Sequence, residues 1–365
     1  MKIFLIAGEA SGDLHGAILS QALLNENPSL QLVGWGGDRM QEKGVRILSH
    51  YKNTAIMGLG QVIKKMGTIR KKFSDCKQQI LTEKPKAIIY IDYSGFNLRM
   101  ANWAKKHGFY NIYYISPQIW ATRENRVHSI RKVIDSMYVI LPFEKAFYKK
   151  HDVDVHYNGH PLVDHIQHQL HSELDIDPKK IVLLPGSRKQ EIETILPIML
   201  EVIDHFQHYH FHILAAPSID RSLYTSIIKD RSVTIHYKNT YQHLQSAKLA
   251  IVTSGTATLE TAIIGTPQII CYKTNWLFYT IVKRIIQVPF ISLVNLIAGK
   301  EIVTELIQSS FNAKTLQDEM IQLLKTDNWK QTIKDYDQLK LQMGQNLVSQ
   351  KNARSILKEL NNISQ

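Results

Sequence analysis

Cysteine is almost absent from this chain of 365 residues: Cys76 and Cys271 are the only two. Two are too few for a disulfide framework or a cysteine-based zinc site, so a reducing compartment is expected. Long apolar runs are missing as well. No stretch reaches the roughly 18 residues of a spanning helix, which predicts a soluble or peripheral protein. The short apolar run Lys2 to Ala7 ends in Gly8-Glu9 and not at a small-residue cleavage site, so it reads as a buried first strand and not as a secretory signal. Nor does the glycine fingerprint of dinucleotide-binding proteins follow that strand, which argues against a nicotinamide enzyme. Acidic residues are in deficit, 32 against 44 basic ones, leaving a net charge of +12. That excess implies an anionic partner, whether nucleic acid, a phosphorylated metabolite or an acidic lipid surface.

What is present is globular: 44% of residues are hydrophobic and 21% charged. Short runs rich in β-branched and aromatic residues recur at 2–7, 31–35, 87–91, 112–115 and 137–140, separated by helical patterns. A second series follows at 181–184, 211–215, 233–236, 249–252 and 268–272. Strands alternating with helices predict parallel α/β sheets, and two sheets are more economical than one of about ten strands. The expected division is a domain at 1–165, a second at 175–340, and a helical segment at 341–365 that returns to the first domain or meets a partner subunit. From about residue 301 the pattern reads as helical to the end.

In open parallel sheets ligands sit beyond the carboxyl ends of the strands, so the residues after each strand are the first candidates. After the first come Gly8, Glu9, Ala10, Ser11, Gly12 and Asp13: either an anion-receiving βα turn or a plain turn capped by Ser11 or Asp13. After 87–91 comes Asp92, whose place beside low-dielectric core suits a general base and equally a turn former. Ser116-Pro117-Gln118-Ile119-Trp120-Ala121-Thr122-Arg123 follows 112–115 and carries either an indole and a guanidinium beside an expected cleft or a plainly packed Trp120 with a solvated Arg123. In the second series, Gly186-Ser187-Arg188 with Glu191 suits a pyrophosphate at a helix start. Ser254-Gly255-Thr256 offers hydroxyls and backbone N–H groups, with Glu260 a turn later as an acceptor for a ribose diol; capping is the alternative for either segment. His205, His208, His210 and His212 straddle a helix end and a strand and do not share a face, so a metal site is not expected there. Gly159-His160-Pro161 lies at the domain boundary.

Taken in order, these segments resemble the lipid A disaccharide synthase family over nearly the whole chain. The stretches that carry the resemblance are Gly8 to Asp13; Ser116-Pro117 with Trp120-Ala121 and Arg123; Leu141-Pro142-Phe143-Glu144-Lys145-Ala146-Phe147-Tyr148; Leu184 to Arg188 with Glu191; Ser254 to Ala257 with Leu259-Glu260; and Ser292-Leu293, Asn295 to Gly299 and Glu301. The resemblance implies a GT-B fold of two Rossmann-like domains facing a cleft, with the UDP of the donor mainly on the C-terminal one. It implies an inverting transfer with no metal ion and no cofactor, joining UDP-2,3-diacylglucosamine to the 6-hydroxyl of 2,3-diacylglucosamine 1-phosphate with Asp92 as base. It also implies UDP contacts from Gly186, Ser187, Arg188, Ser254, Gly255, Thr256 and Glu260. Glu9, Ser11, Gly12, Asp13, Gln118, Trp120, Arg123, His160 and Asn295 would line the acceptor side. Two positions depart from the family pattern: Gly95, where a second Asp is common, and Thr122, where a second aromatic residue is common.

A UDP-sugar epimerase or a glycosyltransferase with a soluble acceptor would share the UDP site. The basic cluster Lys64, Lys65, Arg70, Lys71 and Lys72 would suit a nucleic-acid-binding protein, although nucleic acid is not the expected partner. Within 56–73 the same cations flank Leu59, Val62, Ile63, Met66 and Phe73, the pattern of a helix lying on an anionic membrane surface, or of an amphipathic helix packed on its own sheet. The apolar, basic stretch 276–290 is a second candidate. A peripheral place at the inner face of the bacterial inner membrane is expected, and a homodimer is compatible with it.

Overall fold

The computed structural model describes residues 1–365 except 55–65, 172–173, 277–278, 281–283, 285–287, 345–346 and 364–365. The chain forms two compact units. One comprises Met1–Asp164 together with Met343–Gln365, and the other His165–Gln342.

The first unit holds seven parallel strands: β1 (Lys2–Ala7), β2 (Gln31–Gly36), β3 (Arg46–His50), β4 (Ala87–Ile91), β5 (Tyr110–Tyr114), β6 (Ser136–Val139) and β7 (His156–Tyr157). They lie in the order β3-β2-β1-β4-β5-β6-β7, with Leu5 opposite Ile89 at the centre. Because side chains alternate across a strand, β1 divides between two cores. Ile3, Leu5 and Ala7 pack with the helix Ala10–Glu26 on one face, and Phe4 and Ile6 with Phe96 and Met100 on the other. A central strand covered on both sides needs a continuous apolar run, which is why β1 and β4 are easy to read from sequence. The C-terminal helix Val348–Asn362 adds Ala353, Ile356, Leu357 and Leu360 to the first of these cores.

The second unit holds β8 (Asp177–Leu184), β9 (His210–Leu214), β10 (Val233–His236), β11 (Ala247–Thr253), β12 (Gln268–Tyr272) and β13 (Glu305–Ile307), all parallel, in the order β10-β9-β8-β11-β12-β13. The chain winds outward from β1 to β3 and then restarts at β4. Likewise it winds from β8 to β10 and restarts at β11. The pairs β1/β4 and β8/β11 are therefore the switch points of the two sheets, the places where crevices form at carboxyl ends.

One expectation needs correction. The stretch after 301 is not all helix, because β13 pairs with β12 there. In the proposed membrane helix, residues 55–65 lie outside the described residues, while Phe73 stacks on Phe96 at 4.3 Å and belongs to the unit's own core. Among the described residues no helix is long and apolar enough to cross a membrane.

Candidate functional site

At the first switch point, β4 delivers Asp92 and β1 delivers Gly8 and Glu9. Asp92 and Tyr93 both adopt φ of 48°, and Ile115, just beyond β5, adopts 69°. Left-handed backbone is uncommon outside glycine, and for a β-branched residue it is a marked strain. The surroundings hold it. The Asp92 carbonyl accepts from the Tyr113 hydroxyl at 2.7 Å and from Asn97 Nδ2 at 2.8 Å, while the Ile115 N–H donates to the Tyr138 carbonyl at 3.0 Å. The half-buried Asp92 carboxyl is pushed up to about 6, first by burial and second by the negative charge of Glu9, against a lowering contribution from the Tyr93 N–H. Tyr93 itself lies over the β1 turn, with its ring against Gly8.

The loops after β5 and β6 are tied by a residue that sequence reading noted only as part of a motif. Glu144 is 1% exposed. One of its oxygens accepts from the Ser116 hydroxyl and from Trp120 Nε1, and the other from the N–H groups of Ile140 and Leu141. Burial still raises its pKa, because four donors do not fully replace water around a carboxylate. The clamp fixes Trp120, which also meets Phe143 edge-on at 4.9 Å. Gln118 and Arg123, on the same segment, are exposed.

Other residues of the expected acceptor set have structural partners. Ser11 is half-buried, and Gly12 packs against Ala7. Asp13 is buried and accepts from the N–H groups of Gly37, Arg39 and Met40, capping the short helix Asp38–Glu42. His160 is buried edge-on to His15, takes the Leu162 N–H on Nδ1, and is held down to about 3 by burial and then by His15. It therefore stays neutral in the physiological range. Asn295 belongs to the second unit. Its amide donates to the Val303 carbonyl and to Glu305, and its oxygen accepts from Ile302 and Val303. A side chain so fully used organises its own loop.

At the second switch point the turns after β8 and β11 differ. Gly186 has φ of +117°, and a Cβ there would meet the Glu191 carboxylate at 2.8 Å. Glu191 accepts from the N–H groups of Ser187 and Arg188, and its other oxygen pairs with the Arg188 guanidinium at 2.7 Å. This helix start, Lys189–Glu201, carries its own carboxylate cap. The helix Thr256–Ile264 after β11 has no side-chain cap: Gly255 and Thr256 are exposed, and an added Cβ on Gly255 would meet open space. It is the better-prepared anion cradle of the two. Glu260, half-buried on the same helix, accepts from the Tyr241 hydroxyl at 2.9 Å.

The histidines regroup. His212 on β9 bonds His236 on β10, and His236 meets the His243 ring at 3.7 Å beside Lys180. Burial, first, and the neighbouring cations hold His212 and His243 down to about 4. Among the described residues no cluster of three His, Cys, Asp or Glu could hold a metal ion. The chain contains three Asp-x-Asp pairs, at 152 and 154, 175 and 177, and 335 and 337. The first two precede β7 and open β8, away from the carboxyl ends, and the third lies within the helix Thr326–Gln342.

A family model described as lipid-A-disaccharide synthetase matches residues 3–360. The lipid-A-disaccharide synthase of Idiomarina loihiensis is 36% identical over 90% of each chain, and that of Syntrophus aciditrophicus 38% over 88% of each. Among solved structures, the kitacinnamycin glycosyltransferase superposes with a TM-score of 0.66 at 12% identity, covering 98% of this chain and 99% of that one. The UDP-GlcNAc 2-epimerase of Neisseria meningitidis gives 0.64 at 12% identity, covering 98% and 100%. At such identities the likeness establishes the GT-B fold alone, whereas the family match spans both sheets and both switch points. The chain belongs to the lipid-A-disaccharide synthase family of glycosyltransferases.

Proposed function

We propose that the protein transfers 2,3-diacylglucosamine from UDP to the 6-hydroxyl of 2,3-diacylglucosamine 1-phosphate, inverting the anomeric centre and releasing UDP. The observation that carries this reading is Asp92 at the β1/β4 switch point, raised to about 6, with its backbone at positive φ and its carbonyl accepting two hydrogen bonds. A carboxylate of that strength is mostly ionised at neutral pH yet basic enough to take the hydroxyl proton as the new bond forms. One displacement with one base and a stabilised leaving group gives inversion, and no covalent nucleophile is required.

On the second unit, the uncapped helix start at Gly255 and Thr256 is suited to the UDP phosphates. Arg188 would share their charge, and Glu260, one turn on, would receive the ribose hydroxyls. The net charge of +12 favours the anionic membrane surface where acylated sugars reside. Trp276, 71% exposed, is suited to an interface. The deciding experiment incubates purified protein with UDP-2,3-diacylglucosamine and 2,3-diacylglucosamine 1-phosphate and follows the products by mass spectrometry. A β-1,6-linked disaccharide 1-phosphate with stoichiometric UDP is expected; UDP release without disaccharide would sink the acceptor assignment.

A further inference from the structure

A polar cavity of about 380 Å³ opens in the second unit at the amino ends of β12 and β13, the opposite end of the sheet from the turn after β11. Gln268, the first residue of β12, and Thr304, just before β13, line it from the sheet. Two helices supply its sides: Glu319 comes from Ala313–Leu324, and Asn328, Gln331, Thr332 and Asp335 come from Thr326–Gln342. Residues spaced in this way, at i, i+3, i+4 and i+7, share one helix face. A face turned toward a packed neighbour is ordinarily apolar, and this one is polar throughout.

The side-chain donors of the wall are largely spent on the protein. The Thr304 hydroxyl donates to Glu319 at 3.0 Å, the Thr332 hydroxyl to the Asn328 carbonyl at 3.0 Å, and the Gln331 amide to Asp335 at 3.1 Å. Gln268, 1% exposed, gives its amide nitrogen to the Thr258 carbonyl at 2.8 Å and to the Tyr336 hydroxyl at 3.2 Å. What remains is a set of acceptors. The Gln268 amide oxygen is buried with no hydrogen-bond partner, an unfavourable state that a donor from outside would relieve. Of the three carboxylates on the wall, Asp335 is paired with Lys300 at 2.8 Å, whereas Glu319 and the exposed Glu301 make no ion pair among the described residues. No described lysine, arginine or histidine lines the cavity, so it is a negative site on a chain of net charge +12. Nor do its carboxylates converge as ligands of a point ion would, since no described cluster of three could hold a metal.

We propose that this cavity binds a small organic cation bearing N–H donors, an alkylammonium of the polyamine class. Its charge answers Glu319 and Glu301, and an N–H answers the Gln268 oxygen. The volume falls within the range of about 300–1,000 Å³ usual for small-molecule sites. The site lies away from the carboxyl ends of the strands, so its occupant is not a substrate of the transfer proposed above.

Spermidine is titrated into the full chain by calorimetry at low ionic strength, with tetramethylammonium and magnesium chloride as competitors. The first carries charge without N–H donors, and the second is a point ion. Saturable binding of a single spermidine per chain is expected, displaced by neither competitor at equal concentration. Glu319→Gln should weaken it by about tenfold or more, and Glu301→Gln, at the exposed rim, by less. Both keep the shape of the side chain and remove one charge, and an unchanged thermal transition checks the fold. Gln268→Met, which offers no acceptor, should weaken spermidine as well; if that variant fails to fold, the two glutamate variants decide. Absence of saturable binding, an affinity unchanged in both glutamate variants, or displacement by either competitor overturns the proposal. The readout is binding alone, so the result is independent of whether the protein makes the disaccharide.

Discussion

Asp92 combines opposing demands at a single residue. Its pKa in the folded chain lies above the ordinary carboxylate value, so the neutral acid suits the fold better than the carboxylate does. The stability this group contributes is full below the unfolded pKa and is lost as pH rises through about 6. Asp92→Asn is therefore expected to unfold later in urea at pH 8, by at most about 2–3 kcal/mol, while turnover falls at least about a hundredfold. A variant with near-native turnover would take Asp92 out of the chemistry. Glu9→Gln removes the second cause of the shift, so the acid limb of kcat/KM, expected near pH 6 in the wild type, should move lower, and an unmoved limb would mean that burial alone sets it. Asp92 was legible because it follows an unmistakable buried strand. The clamp role of Glu144 was not, since nothing in Leu141-Pro142-Phe143-Glu144 says that its oxygens reach back to Ser116 and Trp120.

Among the elements, the helices after β8 and β11 share a phosphate-receiving geometry but differ in what already occupies it. Arg188 is 76% exposed and shared with Glu191, whereas Glu260 is half-buried on the open helix. Arg188→Ala should weaken UDP binding by about 1–2 kcal/mol and Glu260→Ala by about 1.5–3 kcal/mol, measured by calorimetry. If neither variant changes the affinity, the nucleotide is not on this unit. The elements that sequence patterning missed have a common property: β3, β7 and β13 are all edges of their sheets. An edge strand is short and only half covered, so it needs no apolar run. Arg46 to His50 and His156-Tyr157 show none, and Glu305 to Ile307 supplies one buried residue in three. Central strands announce themselves because burial on both faces demands it.

For the whole molecule, the chain leaves the first unit after Asp164 and re-enters it at Met343. The His160 N–H donates to the Met343 carbonyl at 2.7 Å, and Gly159 lies so close to Gly344 that a Cβ on either would press on backbone. Ile356, Leu357 and Leu360 bury in the core formed by β1 and the helix Ala10–Glu26, each worth about 1.5–3 kcal/mol. Their sum rivals the net stability of about 5–15 kcal/mol typical of a native protein. Truncation after Gln342 should therefore abolish the calorimetric transition of the first unit and leave that of the second, and retention of both would contradict this. A chain so threaded also has a timetable at the ribosome. The second unit is complete in sequence before the first, although the first begins emerging earlier. At about 5–20 residues per second, the apolar faces of β1 and its helix wait roughly 17–67 s for their last partners. During that interval the uncovered face is open to chaperones and to aggregation, so the yield of folded protein depends partly on how well that face is shielded until the final helix arrives.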